Sequence, residues 1–305
     1  MHVPPDYLAK IQAVYPSLPI HSVDFHQDGM VNDLVIINDE IACRFPKHDW
    51  TRDALLHEAQ VLQLVRSRVD IALPHFDVLQ PDFASDRYLQ GVPPTRTVLL
   101  RMTTEQRNTV LTEFDHVPHQ LHAITPAEAE TASASIRPSD ANRSHAGWIE
   151  FYEQLENDLL PLLMRHQRDW VGDHFGPVLR GELDLGFSTV LIHGDLGVYH
   201  VLYDAIGGHL SGVIDFGTAG IGDPATDFAA LLDGWEEPLI LGLRASSPAL
   251  SGLLDRARFW MGTVGLQWAL DGIRRDEKPL LLAHLGGARD VYPIGSPRAS
   301  PESVA

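Results

Sequence analysis

Cysteine is almost missing from this chain of 305 residues. Cys43 stands alone, which excludes an intramolecular disulfide framework, matches a reducing cytoplasm and offers no redox pair. No run of about 18 apolar residues occurs, and Met1-His-Val-Pro-Pro-Asp-Tyr7 lacks a basic segment followed by an apolar one. Neither a membrane span nor a leader is therefore expected, and the predicted location is cytoplasmic. Basic residues are scarce too: 23 Lys and Arg against 41 Asp and Glu leave a formal charge of -18. Nucleic acid or an anionic bilayer would meet a repulsive field, whereas a cationic small molecule would be attracted. Internal repeats and low-complexity tracts are also lacking. What remains is 44% apolar residues, enough to bury a substantial core in one large domain or two lobes.

Short apolar runs at Ile20 to Phe25, Asp33 to Ile37 and Ile41 to Phe45, with an Asn38-Asp39 turn, predict a small antiparallel sheet. Thr51 is the expected N-cap of a helix reaching Val69, with Glu58 inside it, and a strand is expected over His75 to Leu79. Gly91-Val-Pro-Pro94 marks a break, dividing the chain into residues 1–90, residues 91–293 and a disordered tail, 294–305. Helical periodicity dominates the second part: Glu105 to His122, Ser144 to Gln167, Trp170 to Arg180, Asp227 to Leu232, Leu254 to Asp271 and Lys278 to Leu285. Thr125 to Asn142 reads as a loop or weak helical connection.

The chemistry concentrates in Leu191-Ile-His-Gly-Asp-Leu-Gly-Val-Tyr-His-Val-Leu-Tyr-Asp204, Gly212-Val-Ile-Asp-Phe-Gly217 and Gly222-Asp-Pro-Ala-Thr-Asp227. Leu191-Ile192 is a short strand delivering Asp195 into a loop. Val201 to Tyr203 and Leu210 to Ile214 form a hairpin through Gly207-Gly208, which brings His200 beside Asp215 with Asp195 facing the same cleft. An imidazole and two carboxylates so placed suit a divalent ion and a hydroxyl. Phosphoryl transfer needs such a metal, a carboxylate to orient the attacking group and a cation on the nucleotide phosphates.

This block resembles the aminoglycoside and macrolide phosphotransferases, antibiotic kinases with a protein-kinase-like fold. The likeness is carried by His193 to Leu196, His200, Ile214 to Phe216, Gly222 to Pro224 and Asp227. It implies an α+β, two-lobed architecture, with an antiparallel N-terminal sheet lobe holding one main helix and a larger helical lobe carrying the catalytic hairpin. By the resemblance Asp195 is the catalytic base, His200 and Asp215 hold Mg²⁺ or Mn²⁺, Asp227 braces the loop and His193 is structural. Most members carry Asn where this chain has His200, and a hard ion prefers oxygen to a neutral imidazole.

Further from the block the likeness weakens. Asp28-Gly-Met-Val-Asn-Asp33 looks like the turn over the nucleotide phosphates, giving Gly29 and Asn32 as nucleotide contacts. Ile41-Ala-Cys-Arg-Phe-Pro-Lys47 looks like the strand of the phosphate-binding lysine, with Arg44 in its place and Glu58 as its helix partner; Lys47 is the alternative cation. Asp86 to Pro93 resembles the segment that binds the nucleobase, and both ATP and GTP stay open as donors. Asp233, Trp235, Glu236, Glu237, Trp260, Trp268 and Asp271 are the acceptor candidates, because acids and aromatics suit a polyamine sugar. The expected activity is transfer of a γ-phosphate to a hydroxyl of an aminoglycoside or macrolide by a monomer. The rivals are a kinase of an amino alcohol or sugar, a nucleotide-binding module without turnover, and a metal hydrolase using His193, Asp195 and His200.

Overall fold

The computed structural model describes residues 2–132, 136–139, 142–235, 237 and 250–285. Glu236 and the tail 294–305 lie outside them, as does the side chain of Asp233. Two compact units are present, Met1–Asn142 with Phe187–Arg258 and Arg143–Gly186 with Phe259–Ala305; the sequence-based boundary at residue 90 falls inside the first.

The first unit opens with helix α1 (Pro5–Val14), entered through proline at its first position, where a missing N–H costs nothing. Its Leu8, Ile11 and Val14 sit at helical spacing and point into the sheet core. This helix was not expected from sequence; it adds to the one main helix expected, on the opposite face of the sheet. Five strands follow: β1 (Val23–His26), β2 (Asn32–Ile37), β3 (Ile41–Pro46), β4 (Phe76–Gln80) and β5 (Phe83–Arg87). They pair antiparallel in the order β1-β2-β3-β5-β4. Asn38 and Asp39, both at φ 55°, make the tight β2-β3 turn, since Asn and Asp tolerate the left-handed region better than other side chains. Period-two alternation gives the sheet two faces. Val35, Ile37, Cys43, Phe45 and Phe83 meet α1 on one face; Arg44 turns to the other, where α2 (Asp49–Val65) lies.

Helix α2 begins two residues before the expected Thr51 cap. Thr51 is fully buried inside the first turn, its hydroxyl donating to the His48 carbonyl at 2.7 Å. Past β5, α3 (Arg96–Arg101) leads to α4 (Thr104–His122), which starts at a reciprocal Thr103/Gln106 capping box. The stretch read as a loop or weak helical connection holds a short helix, α5 (Pro126–Ala132). Strand β6 (Val190–Ile192) pairs with β9 (Gly220–Gly222), and β7 (Val201–Asp204) pairs with β8 (His209–Val213) as the expected hairpin. Helix α8 (Ala225–Trp235) closes this part.

In the second unit the predicted helix over Ser144 to Gln167 is broken. Helix α6 (His145–Gln154) passes into a π turn, Leu155–Leu159, and a 3-10 turn, Leu160–Leu162, because Pro161 has no N–H to continue the ladder. Helix α7 (Arg165–Leu179) follows; α9 (Leu250–Arg274) and α10 (Lys278–Leu285) complete the described chain. Trp148, Phe151, Phe175, Phe259 and Leu266 form this unit's core, each buried large side chain contributing about 1.5–3 kcal/mol. Among the described residues no helix is long and apolar enough to cross a membrane.

Candidate active site

Strand β6 ends at Ile192, and the chain turns sharply through His193-Gly194-Asp195. Gly194 sits at φ 82°, and a Cβ there would meet the Thr218 carbonyl oxygen at 2.6 Å, so only glycine passes. Asp227, wholly buried in the first turn of α8, holds this turn from behind. Its carboxylate accepts the His193 amide at 3.1 Å, the Gly194 amide at 2.9 Å and His122 Nε2–H at 2.9 Å. Three donors on one buried carboxylate offset its desolvation. His122, at the end of α4, was not singled out from sequence; no local signal marks a partner 105 positions away.

His193 is itself buried. Its Nε2–H donates to the Ile214 carbonyl at 3.0 Å, and its Nδ1 accepts the Asp195 amide at 3.3 Å. Burial lowers its titration range, so it stays neutral with both nitrogens engaged. A metal hydrolase with His193 as a ligand has no free nitrogen to use.

Asp195 emerges half-exposed, at 51% of its side-chain surface. His200 closes the 3-10 turn Val198–His200 and donates Nδ1–H to the Asp195 carbonyl at 2.8 Å. That bond turns Nε2 toward Asp215, whose Oδ2 lies 3.4 Å away. Burial alone would depress His200, but the carboxylates of Asp215 and Asp195 outweigh it and raise its titration range. Asp215 directly follows the hairpin at φ 67°, a left-handed conformation that turns its carboxylate out, 56% exposed, toward His200. The hairpin expected from sequence thus brings these residues together. Among the described residues no group of three His, Cys, Asp or Glu is placed so that all three could hold one metal ion. A hard divalent ion would fit one imidazole and one carboxylate, because such ions complete their shells with phosphate oxygens and water.

The sheet contributes a buried charge cluster. Arg44 Nη1 lies 3.0 Å from both Glu58 oxygens, Nη2 is 3.7 Å from Asp86 Oδ1, and the guanidinium sits over the Phe76 ring. Burial would lower the Arg44 titration range, but Glu58 and Asp86 together hold it firmly charged. Burial pushes both carboxyls up against the opposing pull of Arg44. Asp86, from sequence only the first residue of the stretch resembling the nucleobase segment, thus lies in β5 beside Arg44. Glu58 also accepts the Phe216 amide at 3.4 Å, and His57 donates to the Ala219 carbonyl at 2.6 Å, so α2 seats directly on the segment following Asp215.

The acceptor candidates fare differently. Trp235 is a correction: it is fully buried, donating to the Pro94 carbonyl at 2.7 Å and packed edge-on to Phe114, so it has no surface for a ligand. Glu237 is paired with Arg258. In the second unit, Trp268 stacks on His284, Asp271 pairs with Arg275 at 2.6 Å, and Trp260 packs against Trp148. Asp223 of the Gly-Asp-Pro segment is taken by Arg256, at 2.8 and 3.1 Å.

A sheet backed by a helix whose acid pairs with a strand cation, followed by a hairpin presenting two acids and an imidazole, defines a kinase-like phosphotransferase. Solved structures share this fold. A mutant of aminoglycoside 2'-phosphotransferase-IIIa in complex with GDP superposes with a TM-score of 0.80 at 23% identity, over 92% of this chain and 94% of that one. Macrolide 2'-phosphotransferase type I does so with a TM-score of 0.72 at 19% identity, over 93% and 97%. Viomycin phosphotransferase of Streptomyces vinaceus is 30% identical over 292 residues, covering 89% of this chain and 92% of its own. The model of the APH phosphotransferase enzyme family matches residues 23–260, and the chain belongs to that family. It is an enzyme, a small-molecule kinase that uses an alcohol group as acceptor.

Proposed function

We propose that this enzyme transfers the γ-phosphate of ATP or GTP to a hydroxyl of an antibiotic, with viomycin and aminoglycosides ahead of macrolides as acceptors. The observation that carries the reading is the convergence of Asp195, His200 and Asp215 at the mouth of the β7-β8 hairpin, with Nε2 of His200 aimed at the Asp215 carboxylate. The similarity to a viomycin phosphotransferase and the charge of -18 both favour a cationic acceptor. A GDP complex among the structural neighbours keeps GTP beside ATP as donor.

In this mechanism Asp195 orients the acceptor hydroxyl and takes its proton as the oxygen bonds to the γ-phosphorus and the bond to the β-phosphate oxygen breaks. His200 and Asp215 would hold Mg²⁺ or Mn²⁺, which when bound neutralises phosphate charge. Asp227 keeps the His193-Gly194 amides in place and thereby the Asp195 backbone. Gly29 in the β1-β2 loop and Asn32 at the start of β2 would contact the phosphates, and Arg44 with Glu58 supports the nucleotide site from the sheet. Residues 1–90 form the nucleotide part and 91–293 the catalytic and acceptor part, in a cytoplasmic monomer.

A coupled assay of nucleoside diphosphate release tests this, run with ATP and with GTP against viomycin, an aminoglycoside, a macrolide and a simple amino alcohol. Turnover on an antibiotic is expected. Turnover on the amino alcohol alone would overturn the acceptor class, and nucleotide binding without any turnover would overturn the reaction.

A further inference from the structure

Arg44 and Lys47 stand three positions apart, on β3 and just beyond its end, and along an extended chain such odd separation reverses the face. Their contacts follow the parity. Arg44 lies with Glu58 and Asp86 on the α2 side, where Glu58 also meets the Phe216 amide beside Asp215. Lys47 joins the α1 side: its Nζ is 3.2 Å from Asp33 Oδ1, and the other Asp33 oxygen accepts the Tyr7 hydroxyl at 2.9 Å. Tyr7 of α1 is stacked on Phe45 at 3.8 Å, and burial together with the bond to Asp33 pushes its phenol up to about 12, so it remains a donor near neutral pH.

From that side the Lys47 ammonium reaches into the loop between β1 and β2. It donates to the Gln27 carbonyl at 2.6 Å and to the Gly29 carbonyl. In a trans peptide a carbonyl and the following N–H point in opposite directions. Carbonyls 27 and 29 turned toward Lys47 therefore turn the amides of Asp28 and Met30 away from it. Two N–H groups, two residues apart and aimed alike, present paired donors to an anion. Gly29 lies between them, and a Cβ there would meet the Asn32 carbonyl oxygen at 2.9 Å. The loop is closed too tightly for a side chain.

We propose that Lys47 is a positioning residue for the nucleotide phosphates: from the back of the sheet, with Asp33 and Tyr7, it locks the Gln27 and Gly29 carbonyls so that the Asp28 and Met30 amides face the phosphates. Arg44, engaged by Glu58 and Asp86, holds α2 instead. The identity of the ligand rests on the phosphotransfer reading above; the clamp itself does not.

Lys47→Met keeps the aliphatic stem and removes the donors, and Lys47→Arg restores a cation. In the nucleotide-free full chain, ¹⁵N order parameters of residues 28–30 should fall in Lys47→Met. Calorimetric Kd for ATP and GTP should rise about tenfold, as expected for about 1.4 kcal/mol of lost preorganisation, while Kd for adenosine and guanosine stays put. Lys47→Arg should recover part of the loss. Unchanged order parameters in the free protein, wild-type triphosphate affinity, or an equal loss for triphosphate and nucleoside would each overturn the clamp. Should Lys47→Met fail to fold, Asp33→Asn, which removes the ammonium's counter-charge, is read in the same way. Failure of the wild-type chain to bind any triphosphate would instead sink the phosphotransfer reading.

Discussion

Asp195 and Asp227 sit 32 positions apart in one site and do opposite jobs because of their surroundings. Asp195 is half-exposed, and the proposed role asks it to meet a mobile hydroxyl. Replacing it with Asn preserves shape and removes the proton acceptor. Turnover should drop on the order of 10²–10⁴-fold while calorimetric nucleotide affinity stays near wild type; an active Asp195→Asn enzyme would refute the assignment. Asp227 is wholly buried, and its value lies in the amides and imidazole it satisfies. Asp227→Ala strands buried donors, a loss on the order of 3 kcal/mol that a drop in thermal midpoint would report. The groups proposed to react were legible at this scale because their spacing is local: a strand end and the two ends of a hairpin. The partners of the supporting residues Asp227, Arg44 and Asp223 were not. His122, Asp86 and Arg256 approach from distant segments, and nothing in their immediate neighbours announces it.

At the scale of elements, the long amphipathic helices and the Gly207-Gly208 hairpin follow from periodicity and turn chemistry, and the structure contains them. Errors arose where a short element had few residues to show its period. Helix α1 and strand β5 were passed over, and Pro161 breaks a helix that the apolar pattern alone had carried through. Packing between α7 and α9 carries a testable pH dependence. His174 is stacked between Trp170 and Phe259 and donates to the Phe259 carbonyl at 2.9 Å; burial lowers its titration range although that bond partly opposes the shift. In the unfolded chain this imidazole titrates near about 6.5. Below that value the unfolded state takes up a proton that the folded state refuses. The contribution of neutral His174 is therefore complete above about pH 6.5 and lost as pH falls through the lower folded value. A thermal-midpoint series from about pH 8 to about pH 5 should show this decline, and His174→Gln should flatten part of it. An identical slope in the variant would remove His174 from the account.

For the whole molecule, the charge of -18 would act with opposite sign on the proposed cationic acceptor and on the nucleotide. Raising ionic strength from about 0.01 M to about 0.1 M shortens the Debye length from about 30 Å to about 10 Å. KM for a cationic acceptor should rise across this range, whereas KM for the anionic nucleotide should hold or fall. Parallel shifts in steady-state kinetics would contradict an electrostatic preference for the acceptor.

The sequence by itself determined the fold class and singled out the groups proposed to react, since a strand, a turn and a helix are each specified by residues within a few positions of one another. Only the tertiary structure decided that Trp235 is core, that Arg44 is shared by Glu58 and Asp86, that Asp227 also holds His122, and that Lys47 stands on the α1 side of the sheet beneath the loop. Burial and pairing of this kind depend on which distant surfaces meet when the chain closes its core, and that information is held in the packing, not in any local run of residues.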